Sequence, residues 1–282
     1  MLPAPQAASG PTVDVEALYR ALDSVSIARP AAAHVLAVVD DPTASAQRVA
    51  ASAELDPVFA AQLIKLANSA YYGMSGRIGN TTYAVTVIGF SAVRSLAALS
   101  ASGLGATGKP KPEGFWVHAA AAAAGCSAVA DHFGLIPGDA FAAGLLHDLG
   151  VALLHGFDRA AHQALIDRWG VDTDALSEAE VATFGLSHDA AAARVLSAWR
   201  FPPDFVEAVA GHHGAQPATS ALGTAVRIGD LLAHLRDAEL DDVTPEQAEM
   251  LEAAGLPERR WGDLMDLTRL RTTEITASLP AS

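Results

Sequence analysis

The chain has a single cysteine among its 282 residues. Cys126 lies in the apolar run AAAAAGCSAVA, so no intramolecular disulfide can form, and the residue reads as a small core side chain. A disulfide-stapled scaffold is thereby excluded, and a reducing compartment, the cytoplasm, is the expected setting. Positive charge is also scarce: 18 basic residues face 32 acidic ones, for a net charge of −14. A broad nucleic-acid face needs clustered Lys and Arg to displace counterions, so no nucleic-acid partner is expected. Electrostatic docking on an anionic membrane is disfavoured for the same reason. The opening MLPAPQAASGPT lacks a basic segment followed by an apolar one, so no signal peptide is visible. No apolar run of spanning length stands out; the nearest, residues 119–130, is at most about half of the ~20 residues a span requires. No Gly-rich loop of the P-loop kind precedes a helix.

What is present is helix-forming sequence. Apolar residues make up 51% of the chain while aromatics make up only 6%, and alanine is abundant, which favours close-packed helices. The expected class is all-α. Residues 1–12 read as a disordered leader of Pro, Ala, Ser and Gly. VDVEALYRALDSV then places Val15, Leu18, Leu22 and Val25 at helical spacing. Asp56-Pro57 combines an N-cap with a proline at the first helical position. Residues 81–102 read as two short helices meeting at Gly89, although Val85, Val87 and Ile88 have strand character. The Gly- and Pro-containing stretch 103–114 lacks apolar periodicity and is the best internal boundary. Beyond it, FWVHAAAAAAGCSAVADHFG reads as one long helix, Asp139 as an N-cap, and AFAAGLLHDLGVALLHG as one continuous helix. Ser177 and Glu180 form a capping-box pattern, and so do Thr244 and Gln247. A last amphipathic helix covers residues 261–275.

Chemistry concentrates at a few positions: His118, the adjacent pair His147-Asp148, His188, the pair His212-His213, and Asp230. Imidazole and carboxylate together suit a divalent ion such as Fe, Mn, Ni, Mg or Zn. His147-Asp148 carries the most weight, because an acid in so apolar a helix must be paired or ligated. The plainer alternative is an Asp148–His pair that holds helices together without metal. His34, His132, His155, His162 and His234 read as core or surface residues. Asp56 reads as a cap. Asn68, a poor helix former in LANSAYYG, could bridge the two halves of the chain by hydrogen bonds.

With these residues placed, the order H…HD…H…HH…D resembles the HD superfamily of metal-dependent phosphohydrolases. The resemblance is closer to the HDOD domain, the HD-related output domain of bacterial signalling proteins. It is carried by DDPTASAQRVAASAELDPVFAAQLIKLANSAYYG, YAVTVIGFSAVRSL, FWVHAAAAA, FAAGLLHDLGVALL and EAEVATFGLSHDAAAARVLSAWRFPPDFVEAVAGHH, over about residues 20–215. The resemblance implies an HD-like helical bundle (residues 113–236) with an added N-terminal helical lobe (13–112). A C-terminal helical tail (237–282) lies outside it, as a packing appendage or a dimerisation element. It also implies that His118, His147, Asp148 and Asp230 could hold one metal. His188, His212 and His213 match positions that extend the set to two metals in the related HD-GYP phosphodiesterases.

HDOD domains are regarded as regulatory modules without established catalysis. HD-GYP proteins carry HDxGK, whereas Val151 stands at the lysine position here, and the Gly-Tyr-Pro signature after the HH pair is missing. The leading expectation is therefore a bacterial signalling output module acting through contact with signalling proteins, either as a monomer or as a homodimer. The alternative is a metal-dependent phosphohydrolase acting on a nucleotide or cyclic dinucleotide. A nucleotide bound without cleavage is a third reading.

Overall fold

A computed structural model describes residues 13–24, 30–74, 76–103, 110–171, 173–214, 218–277 and 279. The expected leader, residues 1–12, lies outside these. The described residues form α-helices joined by short 3₁₀ turns, the all-α class expected from composition.

The N-terminal half holds α1 (Val15–Ser24), α2 (Pro30–Val39), α3 (Ala46–Ala53), α4 (Pro57–Ala67), α5 (Thr81–Ile88) and α6 (Phe90–Ala101). Local chemistry sets their ends. The Asp56 carboxylate accepts from the N–H groups of Val58 and Phe59, and Pro57 occupies the first turn. Helices α5 and α6 meet at Gly89 with a bend of 109°; Val85 and Ile88 pack inward from helix rather than strand.

Next come α7 (Phe115–Val129), α8 (Pro137–Leu146), α9 (Leu149–Phe157), α10 (Arg159–Trp169), α11 (Asp174–Phe184), α12 (His188–Ala198), α13 (Pro203–Ala210) and α14 (Ala221–Leu235). The chain closes with α15 (Pro245–Ala253) and α16 (Trp261–Thr276). Helix α7 is the hub, packed on α8, α14 and α16. Its small residues permit this. A Cβ on Gly125 would stand 2.7 Å from the Gly229 carbonyl oxygen of α14, so the two backbones are in direct contact. Cys126 is fully buried at this crossing, and its burial, aided by the charge of Asp230, pushes the thiol pKa up.

Several expectations are corrected. The stretch AFAAGLLHDLGVALLHG is two helices, because the chain leaves helical geometry at Asp148, whose carbonyl oxygen accepts from the Val151 N–H. Asp139 is not a cap: the helix starts at Pro137, and Asp139 instead accepts from the Ser91 hydroxyl of α6. Thr173, not Ser177, caps α11. Finally, the Pro137–Phe157 stretch is long and apolar enough to cross a membrane, but 89% of its apolar window is buried within the fold. Its hydropathy serves a core packed on several sides.

The halves are joined by side chains. Tyr71 donates to the Ser127 hydroxyl of α7, and Arg94 donates to the carbonyl oxygens of Trp199 and Arg200 while pairing with Asp40. Asn68 is no such bridge: it bonds Ile64 and both backbone groups of Ile78, closing the loop within the N-terminal half. One apolar core runs from Leu18 to Leu279, and a second, around Trp261 and Leu264, seats α16 on α14.

Candidate metal centre

The break between α8 and α9 turns two consecutive side chains toward one point. His118 reaches it from the first turn of α7, Asp230 from α14, His188 from the start of α12, and His212 from the end of α13. All seven ligand candidates read from the sequence converge here.

Asp148 organises them through its two carboxylate oxygens. On one side, Oδ2 lies 3.5 Å from His118 Nε2 and 3.6 Å from His147 Nε2. Asp230 Oδ1 stands 3.2 Å and 3.5 Å from the same two nitrogens, which are themselves 3.1 Å apart. On the other side, Asp148 Oδ1 lies 3.6 Å from His188 Nε2 and 3.5 Å from His212 Nε2. His188, His212 and His213 form a second close group of ligand atoms. His147 and His188 are fully buried, and Asp148 is only 2% exposed.

The donors fit divalent ions. Ligands ~2.1 Å from a shared ion, at angles of ~90–110°, sit ~3.0–3.5 Å from one another, close to the 3.1–3.6 Å separations seen here. The approach at Asp230 is of the kind a shared ion makes, since its Oδ1 is buried with no hydrogen bond aligned on it. The far nitrogens set the tautomers. His147 Nδ1 lies 2.8 Å from the Gly144 carbonyl oxygen and His212 Nδ1 lies 2.6 Å from that of Val209. A carbonyl accepts only, so each Nδ1 carries the proton and each Nε2 turns a lone pair to the centre, the usual arrangement of metal-bound histidine.

Gly150, two residues after Asp148, permits the approach of α12. A Cβ there would lie 1.8 Å from the backbone oxygen of His188. The glycine of HDLG is therefore required by the close contact of α9 with the residue that supplies a ligand.

The family follows from this arrangement and from the chain's match to a family model. The HDOD domain model matches residues 28–215. The chain belongs to the HDOD family. Solved structures agree on the fold. A candidate phosphohydrolase from Shewanella amazonensis SB2B is 24% identical, with a TM-score of 0.73 over 93% of this chain and 98% of that one. An HDOD domain protein of unknown function from Geobacter sulfurreducens is 20% identical, with a TM-score of 0.63 over 94% and 97%. A candidate signal transduction protein from Marinobacter aquaeolei VT8 is 21% identical, with a TM-score of 0.66 over 95% of this chain and 66% of that one. No curated protein matches.

Within this HDOD chain, sequence reading missed several residues of the centre. His234, one turn after Asp230 on α14, places Nε2 3.5 Å from Asp230 Oδ1 and its ring 5.0 Å from that of His118. Glu180, read as part of a capping box, is fully buried; its carboxylate meets His188 Nδ1 at 2.7 Å and His162 Nε2 at 2.8 Å. His162 in turn faces His155 at 3.4 Å. The signal was faint: an acid three residues after a serine is a common helix start, and only tertiary contact shows it buried. Burial opposes charge on His188, but Glu180 and Asp148 outweigh it and push its pKa up to about 9. Burial likewise opposes charge on Glu180, but His188 and His162 hold its pKa below the usual carboxylate range.

A pocket of about 370 Å³ opens beside the centre, lined by His118, Asp148, Val151, His234 and Arg236. Val151, at the position of the HD-GYP lysine, is fully buried in its wall.

Proposed function

We propose that this HDOD signalling module carries a two-metal HD centre and acts as a metal-dependent phosphohydrolase on a small phosphoester. The observation that carries the reading is the double use of Asp148, whose two oxygens face two separate histidine sets. His118, His147, Asp148 and Asp230 would hold one ion, and Asp148, His188, His212 and His213 the other. So many imidazoles favour Mn, Fe, Ni or Zn over Mg, which prefers oxygen ligands. Divalent ions at such a site polarise phosphoryl oxygens and lower the pKa of water.

The protein's own groups supply the rest. His118 lines the pocket wall with the almost fully buried Asp148 just behind it, so a bound molecule would sit beside the ligand set. The half-exposed His234 stands at its mouth, placed to exchange a proton with a leaving group. Arg236 brings a guanidinium to the pocket wall, paired there with Asp237 at 2.8 Å. The volume is at the small end of ligand sites, ~300–1,000 Å³, and suits a mononucleotide better than a cyclic dinucleotide.

A second reading is regulation through contact with signalling proteins, without catalysis. It is favoured by Val151, which offers a phosphate no charge. A screen of the Mn- and Fe-loaded protein with aryl phosphate monoester and diester substrates separates the two. Turnover that vanishes in Asp148→Ala is the expected result. A metal-loaded protein inactive on every phosphoester overturns the hydrolase reading and leaves the regulatory one.

A further inference from the structure

The histidines of the centre are oriented by different partners. His147 and His212 are each fixed by a backbone carbonyl, and His213 Nδ1 faces the exposed Asp174 carboxylate at 3.0 Å. His188 is oriented by a buried acid. Glu180 Oε2 accepts from both the backbone N–H and Nδ1 of His188, each at 2.7 Å. Its other oxygen, Oε1, takes His162 Nε2 at 2.8 Å. Both carboxylate oxygens are thus used, and neither Glu180 nor His162 is exposed.

This clamp acts on one side of the centre. Fixing two nitrogen atoms of His188, one on the backbone and one on the ring, sets the ring plane and aims Nε2 at Asp148 Oδ1. A carboxylate behind an imidazole also makes it a stronger ligand than a carbonyl does. The opposite set, His118, His147, Asp148 Oδ2 and Asp230, takes its orientation from other groups, His147 from the Gly144 carbonyl oxygen and His118 from its close approach to His147 and Asp230.

We infer that Glu180 is a positioning residue that decides whether the centre holds one divalent ion or two. The inference rests on the metal-binding reading above. Removing the clamp frees the His188 ring and weakens the second position, whereas the first keeps its four ligands. His162 has the lesser role of holding the second carboxylate oxygen.

The test is Mn(II) titration of the full chain, followed by metal analysis and electron paramagnetic resonance, in the wild type, Glu180→Gln and His162→Gln. The wild type is expected to bind two ions with the signature of a coupled pair. Glu180→Gln should keep one ion at wild-type affinity and bind the other about 10–100-fold more weakly, losing the coupled signal. His162→Gln, which keeps a donor for Glu180, should retain both ions. Two ions bound at wild-type affinity in Glu180→Gln overturn the inference alone. Loss of both ions from a folded Glu180→Gln also overturns it, because the clamp would then serve the whole centre. A wild type that binds no ion overturns the metal reading and this inference with it. Should Glu180→Gln fail to fold, Glu180→Asp keeps the charge but shortens the reach, and an unweakened second ion in that variant refutes the role.

Discussion

Gly150→Ala sets two physical expectations against each other. In a helix interior, replacing glycine by alanine ordinarily stabilises by about 0.5–1 kcal/mol, since glycine loses more backbone freedom on folding. Gly150 lies in the first turn of α9, so helix propensity alone predicts a more stable protein. The packing predicts the reverse. The added Cβ would lie 1.8 Å from the His188 carbonyl oxygen, and reaching ordinary contact at 3.4 Å needs a separation of about 1.6 Å. The obstacle is backbone at the start of α12, so no rotamer change relieves it. Overpacking of this kind costs about 1–3 kcal/mol, and a rigid neighbour places it at the upper end. Net of the propensity gain, the variant should lose about 2 kcal/mol, a fall of roughly 4–8 °C in Tm for a chain of this size. Because the displaced group carries a ligand, affinity for the second ion should fall as well. Thermal and urea melts, with metal titration, read both effects. A variant as stable as the wild type, with both ions bound, would refute the argued contact between α9 and α12.

Other outcomes follow from the same geometry. In chelator-treated protein, His188 titrates near 9, above its ordinary 6.5, so its pairing with Glu180 stabilises fully below about pH 6.5 and is lost as pH rises toward 9. Glu180 is held below its ordinary 4.5, so its contribution is present above that pH and is lost only at lower values. Melts across this range should show Tm falling between pH 6.5 and 9, and a flat profile there would contradict the buried pair. Asn68→Ala removes the bonds to both backbone groups of Ile78 and should cost about 2 kcal/mol while leaving metal stoichiometry unchanged.

Much of this was legible in the sequence because it is local. The Asp56-Pro57 cap, the break at Gly89 and the Thr244–Gln247 capping box depend on neighbours a few residues away, and the chain keeps all three. The seven ligand candidates were legible because acids and imidazoles are conspicuous on apolar helices, and the fold gathers them. What escaped depends on contacts far along the chain. Glu180 fits a capping pattern perfectly well, yet Thr173 already holds the cap and the acid turns inward to two histidines. His162 and His155 looked like isolated core or surface residues until α9, α10 and α11 were set side by side. The apolar run through His147-Asp148 argues for one unbroken helix, whereas the chain breaks at Asp148, whose side chain sits between histidines of α7 and α12. Asn68 looked like a bridge between halves, a task that falls instead to Tyr71 and Arg94.

Asp148, with one oxygen turned to each histidine set, would stand between two metal ions. Anomalous diffraction from crystals of the Mn(II)-loaded protein tests it directly. Two peaks about 3.5–4 Å apart, flanking the Asp148 carboxylate, are the predicted result. A single peak with His188 and His212 unligated, or no peak at the centre, would contradict it.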